Sequence, residues 1–284
     1  MFENETNIDL KILYATDLHG DERKYNNLRE IALREDVDVI VNGGDLYPGV
    51  SKEKQKEFIN RFLRSYIGFL NRKNIYYLAL PGNYDLKSLD YLFDKICDEF
   101  NFALNINSKK IKIKGYDFIG MNLVSDYPFR LKDRCRMDTK SFEFPPQHGG
   151  AIFSTEEDFR EMSSEDWFRY AKEIPSLEEE LENLPKGDDP LKTIYVIHMP
   201  PANLGLDVCH NNLKVGSIAI YEFLKKKQPI LSLHGHIHES PEISGIWKAK
   251  LGRTTCIQPG QGKKLIYVVI TFGGLGLEIR KEEV

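Results

Sequence analysis

Leu10-Lys-Ile-Leu-Tyr-Ala-Thr-Asp-Leu-His19 is the stretch from which the rest of the chain is read. Its apolar run predicts a strand over Leu10–Ala15, and an aspartate and a histidine follow at the strand's end. A helical pattern over Asp21–Glu35, a strand over Val37–Asn42, a long helix over Lys52–Lys73 and a strand over Ile75–Leu80 come next. Strand and helix alternating at this spacing require crossover connections, hence parallel strands in an α/β fold. The long helix carries Phe58, Ile59, Phe62, Leu63, Tyr66, Phe69 and Leu70 as one apolar stripe, expected to pack on a sheet.

The second half has similar texture. Strands are expected over Leu191–Ile197 and Pro229–Leu233, with a helix over Val215–Lys227 and Ser217 near its start. From Arg253 onward, short strands alternate with glycine turns (Thr254–Gln258, Lys264–Phe272, Leu275–Arg280), a pattern of antiparallel strands. Between the halves, residues 124–190 read as an irregular insertion with an acidic helical stretch around Ser163–Leu184. We take residues 1–284 as one domain carrying that insertion, since long loops in compact domains are often functional lids. Lys110, Lys112 and Lys114 fall on one face of a short strand, as expected of a guarded sheet edge. Arg130, Arg134 and Arg136 are expected on a solvated face of the insertion.

The formal net charge of -4 gives no attraction toward nucleic acid or anionic membrane, both of which reward a basic surface. The polar, acidic start Met1–Leu10 is not a secretory signal, and apolar runs such as Leu265–Ile270 are far shorter than the roughly 20 residues of a spanning helix. Cys97, Cys135, Cys209 and Cys256 lack zinc-site or disulfide-framework spacing and read as reduced thiols of a cytoplasmic protein.

The chemistry lies at the strand ends. Asp17-Leu-His19 follows the first strand, Gly43-Gly-Asp45 the second and Gly82-Asn-Tyr-Asp85 the third; His198 follows the strand at 191–197, and His234-Gly-His-Ile-His238 the strand at 229–233. In an open α/β sheet that edge is where ligands bind. Of seven histidines, five fall in these clusters. Imidazole nitrogen and carboxylate oxygen suit manganese, iron and zinc. Asp17 and His19 are two apart, as are His236 and His238, so an extended backbone would aim each pair the same way. Each cluster alone is weak; their order and placement together carry the reading. His210 is expected at the surface, and His234 in the core or behind the ligands.

The five clusters resemble the signature of the calcineurin-like metallophosphoesterases: Asp-x-His, Gly-Asp, Gly-Asn-x-Asp, a lone His and Gly-His-x-His, here spanning Asp17 to His238. The resemblance implies a four-layer α/β/β/α architecture, a two-sheet mixed β sandwich flanked by helices. It implies two divalent ions, one on Asp17, His19, Asp45 and His238, the other on Asp45, Asn83, His198 and His236, with Asp45 bridging. Manganese is the first expectation, with iron, zinc or nickel as alternatives. A hydroxide bridging the two ions would attack the phosphoester of a small or nucleotide-like substrate, with Asn83, Tyr84, Asp85 and His198 as the residues around the reacting group. Family members usually carry His where Tyr84 stands, and many carry a carboxylate at the position of Pro48. Tyrosine titrates near 10, so at neutral pH it donates hydrogen bonds more readily than protons. A general acid is therefore missing, and Asp85 is expected behind the ligands. A catalytically weak scaffold or regulatory protein is the competing reading, and a DNA nuclease a third with less support. Oligomeric state is not legible.

Overall fold

A computed structural model of the chain describes residues 9–274 and 276–284. The first eight residues of the N-terminal stretch read above as non-secretory, and the Leu275 start of the last expected strand, lie outside the described residues. Strand β1 (Leu10–Ala15) leads to α1 (Glu22–Glu35), β2 (Val39–Asn42), α2 (Lys52–Phe58), α3 (Arg64–Arg72), β3 (Tyr76–Ala79), α4 (Asp90–Asp98) and β4 (Ala103–Asn105). Strands β1 to β4 are mutually parallel. Asp21 caps α1, its side chain accepting from the Arg23 and Lys24 amides, so the helix starts immediately behind the Asp17-x-His19 loop. The predicted single helix over 52–73 is interrupted by a π-turn at Ile59–Leu63, which re-phases the stripe. Phe58, Ile59, Leu63, Tyr66 and Leu70 still reach the core, with Phe62 and Phe69 half-buried against it.

A second sheet is built from β5 (Lys110–Ile113), β6 (Tyr116–Met121), β11 (Thr193–Ile197), β12 (Leu231–Leu233), β13 (Lys248–Leu251) and β14 (Thr254–Ile257), with α7 (Ile218–Lys227) crossing between β11 and β12. Ser217 is the cap of α7 rather than part of it, accepting from the Ile220 amide. Strands β15 (Ile266–Gly273) and β16 (Gly276–Glu283) run antiparallel and return to the first sheet beside β1, giving it the order β16-β15-β1-β2-β3-β4. The second sheet has the order β13-β14-β12-β11-β6-β5. The C-terminal strands therefore divide between the sheets, and β14 pairs parallel with β12, where the sequence pattern predicts an antiparallel tail throughout.

The two six-stranded mixed sheets face each other. Ile12, Tyr14, Val39 and Val41 of one meet Phe118, Ile194, Val196 and Leu233 of the other. The alternate residues of the same strands turn outward: Leu13, Ile40 and Tyr77 pack on α1 to α4, and Ile119, Tyr195 and Ile197 pack on α7 and the insertion. Central strands buried on both faces read as continuous apolar runs, as these do. Lys110 and Lys112 of edge strand β5 hold Asp188 at 2.6 and 2.7 Å. Among the described residues no helix is long and apolar enough to cross a membrane, and all four cysteines are free.

The insertion is more ordered than its sequence suggests. It holds β7 (Val124–Ser125) parallel to β8 (Cys135–Arg136), β9 (Ala151–Ser154) antiparallel to β10 (Phe159–Met162), and helices α5 (Ser164–Ala171) and α6 (Leu177–Asn183), the last opened by a Ser176/Glu179 capping box. Its centre is a buried ion pair. Lys132 lies 2.8 Å from Asp126 with both side chains essentially excluded from solvent, and Asp126 also accepts from Trp167 Nε1 and Gln147 Nε2. Removing one partner of such a pair strands the other charge, so Lys132→Met should destabilise the protein by about 3–5 kcal/mol in urea unfolding. Adding Asp126→Asn to that variant should recover part of the loss.

Candidate metal centre

Both sheets present the carboxyl ends of their parallel strands on one side, and the loops beyond those ends stay hydrogen-bonded to one another. Past β1 and β2, the Asp17 amide donates to Gly44 O, His19 to Asp45 O and Gly20 to Leu46 O. Across the sheets, the Tyr14 hydroxyl donates to His234 O at 2.6 Å. The backbone along this rim is not extended, contrary to the expectation from the two-residue spacing. Asp17, His19, Asp45 and His236 all have positive φ, at 56, 46, 52 and 70°. Left-handed backbone is uncommon for non-glycine residues and persists where the surroundings enforce it. The coil, not a pleat, is what turns these side chains inward.

Their atoms converge. One ligand atom each from Asp17, His19, Asp45 and His238 lie within 4.8 Å of one another, a group that can hold a metal ion. The His19 and His238 Nε2 atoms are 3.1 Å apart, His238 Nε2 is 3.3 Å from Asp17 Oδ1, and His19 Nε2 is 3.7 Å from Asp45 Oδ2. Beside this group, Asn83 Oδ1 sits 2.7 Å from His236 Nδ1 and 2.9 Å from His198 Nε2, and His198 Nε2 is 3.7 Å from Asp45 Oδ1. Donors bound at about 2.1 Å to one ion are themselves roughly 3–3.5 Å apart, so the spacing within each group fits a shared cation. All seven residues picked from the sequence meet here. Asp17, Asp45, Asn83 and His198 are buried, and His19, His236 and His238 are partly open to a cavity.

The electrostatics follow from that crowding. Burial opposes ionisation of Asp17, but His238 and then His198 outweigh it and bring the carboxyl down to about 2. Asp45 is lowered likewise by His198 and His19 against its burial. Burial would depress His198, yet Asp45 and then Asp17 raise it to about 9. His236 falls to about 3 through burial and the neighbouring His198. The Nδ1 of His198 lies 2.8 Å from Gly43 O; donating there leaves Nε2 free as a ligand.

Several residues hold the centre without entering it. The carboxylate of Asp85 accepts from the amides of Leu46 and Tyr47 at 2.8 Å and of Gly82 at 2.6 Å, and is wholly buried. It supports no ligating histidine and does not face the cavity; it ties the Asp45 loop to the Asn83 loop. Burial and then Asp45 push its carboxyl up to about 8, against the pull of those amides. Arg134 is buried rather than solvated: it donates to Gly82 O at 2.8 Å and to the Asp90 carboxylate at 2.6 Å. Arg130 and Arg136 pair with Glu161 and Glu180. His234 is a core histidine whose Nδ1 faces Ile197 O and Met199 O, and burial lowers it to about 4. His210 is exposed. Tyr84 stands edge-on to His19, with ring centroids 5.5 Å apart, and its amide donates to Asp45 Oδ1 at 2.9 Å. Burial, then Asp45, raises its phenol.

A cavity of about 770 Å³ opens over the centre, lined by His19, Asp45, Asn83, His236 and His238 at one end. Tyr127, which the sequence reading did not single out as a site residue, lies in its wall with its ring 5.9 Å from that of His236. It has no motif around it, and only the closure of the insertion brings it there.

With fold and centre described, the family can be stated. A sequence model of the calcineurin-like phosphoesterases matches residues 10–240, and the chain belongs to that family. Among solved structures, TT1561 of Thermus thermophilus superposes with a TM-score of 0.56 at 15% identity, over 95% of this chain and 98% of that one. An archaeal phosphodiesterase described as novel gives 0.45 at 13% identity, over 97% of this chain and 100% of the other. No curated protein matches the chain in sequence.

Gly82 shows how tightly the centre is held. A Cβ there would collide with the backbone and carboxylate of Asp45, whereas one at Gly262 would meet nothing. Gly82→Ala should weaken manganese binding about tenfold or more, while Gly262→Ala leaves it unchanged, as read by metal titration followed through thermal shift.

Proposed function

We propose that this chain is a phosphoesterase that uses two divalent cations to hydrolyse a small or nucleotide-like phosphomonoester or phosphodiester. Asp17, His19, Asp45 and His238 would hold one cation; Asp45, Asn83, His198 and His236 the other. The observation that carries the reading is the split aim of Asp45, whose Oδ2 faces His19 and Oδ1 faces His198, each at 3.7 Å. When bound, such a pair supplies Lewis acidity and lowers the pKa of a water from about 15.7 toward about 7. Manganese is proposed first, with iron, zinc or nickel as alternatives. We take residues 1–284 as one unit in which the 124–190 insertion walls the cavity, acting in the cytoplasm, where free thiols persist. A net charge of -4 argues against a nucleic-acid substrate.

The residues of the chain set what the site can do. Asn83 offers a neutral carbonyl oxygen where a phosphate must also enter, which limits negative charge. Asp85 and Arg134 hold the loop that bears it. Tyr84 faces the cavity with its phenol raised, so it donates a hydrogen bond to a departing oxygen but does not give up a proton at neutral pH. Absent general-acid help costs about 10²–10⁴-fold, so esters of nitrophenol should turn over well and alkyl phosphates slowly.

The purified protein should retain divalent metal by plasma mass spectrometry and hydrolyse bis(4-nitrophenyl) phosphate, and Asp45→Asn should lose both. Metal retention without turnover of any ester favours the scaffold reading instead. Tyr84→His should raise the ratio of alkyl to nitrophenyl ester turnover by at least about tenfold; an unchanged ratio contradicts the role given to Tyr84.

A further inference from the structure

The cavity that leads to the metal centre has a wall chemistry of its own. Tyr127, Phe129 and Phe142 of the insertion line one part, and Leu213 and Val215, from the loop before α7, line another. The carboxylates in that wall are already engaged. Asp126 holds Lys132, Trp167 and Gln147, and Asp138 accepts from the Ser217 hydroxyl and the Ile218 and Ala219 amides at the start of α7. Glu143 and Lys214 also line the cavity but are exposed. Phe129 and Leu213 remain 54% and 59% exposed, an arrangement that costs apolar hydration until something covers them. Tyr127 is fixed in place: its hydroxyl donates to Leu131 O at 2.6 Å, and Lys132 Nζ lies 4.8 Å from its ring centroid.

We propose that the phosphoester taken by this site carries a bulky apolar alcohol group, seated between the insertion aromatics and the Leu213–Val215 segment, in preference to a sugar–base unit. This rests on the phosphoesterase reading and narrows it. A sugar–base unit needs hydroxyl and base-edge partners, and a site selects such groups only where it offers free polar ones. Here the inward carboxylates are spent on the wall's own structure, and an apolar chain loses nothing by meeting them. The cavity, at about 770 Å³, has room for much more than a phosphate.

The test uses 4-nitrophenyl phosphodiesters with one leaving group and a varied second ester: methyl, butyl, octyl and thymidine-5′-yl. In each, a water oxygen bonds to phosphorus, the bond from phosphorus to the nitrophenol oxygen breaks, nitrophenolate departs and the proton passes to solvent. With the manganese-loaded full chain, KM should fall by up to about fourfold per added methylene until the cavity is filled. From methyl to octyl the fall should exceed about 50-fold, with kcat changed less than about threefold, as uniform binding requires. The thymidine ester should have a KM near that of the methyl ester. Phe129→Ser combined with Leu213→Ser should shrink the methyl-to-octyl KM ratio by about tenfold or more. Equal KM along the alkyl series, or a lower KM for the thymidine ester than for the octyl ester, overturns the inference and leaves the phosphoesterase reading standing. No turnover of any ester overturns both.

Discussion

Asp45 is the constraint on which the rest of the structure depends. It is a buried carboxylate set between two groups of imidazoles, held by a left-handed backbone at φ 52° and by the Tyr84 amide on Oδ1. Two anionic oxygens and several neutral or protonated nitrogens crowd into a space from which water is largely excluded. Such a cluster is costly unless protons or metal ions neutralise it. The raised His198 and lowered Asp17 and Asp45 are what that crowding looks like when protons alone do the work. Divalent ions would take their place, and the family to which the chain belongs uses such ions.

The surrounding structure reads as the means of holding that carboxylate still. Asp85 gathers three amides from the loops after β2 and β3. Arg134 reaches from the insertion to Gly82 O, so the 124–190 segment braces the Asn83 loop as well as walling the cavity. Tyr14 and His234 connect the rims of the two sheets. These contacts are remote in sequence, and the ligands come from five separate strand ends. The precision of the centre is thus a property of the whole sandwich. Packing that links the centre to the insertion also explains how a cavity with an aromatic wall can sit directly above it.

Much of this was legible in the sequence because two signals were strong. Continuous apolar runs such as Leu10–Ala15 and Leu191–Ile197 marked buried parallel strands, and the chemistry-bearing residues followed those runs, where such folds bind ligands. The seven donors named from those positions do converge. What could not be read depended on tertiary closure. The left-handed turns at Asp17, His19, Asp45 and His236 leave no mark in residue type, so extended backbone was the natural expectation. Arg134 lies in a stretch without periodicity, and only folding of the insertion reveals its buried pairing with Asp90. The division of the C-terminal strands between two sheets is a matter of long-range pairing, which alternation cannot specify. Ser163–Leu184 was expected to be helical, but the small sheets before it, β7 with β8 and β9 with β10, carry too few residues for a pattern to emerge.

Anomalous diffraction from crystals soaked in manganese tests the central claim most directly. Two peaks about 3.5–4 Å apart, one on each side of the Asp45 carboxylate, are the predicted result. A single peak, or none within reach of Asp45, would contradict it.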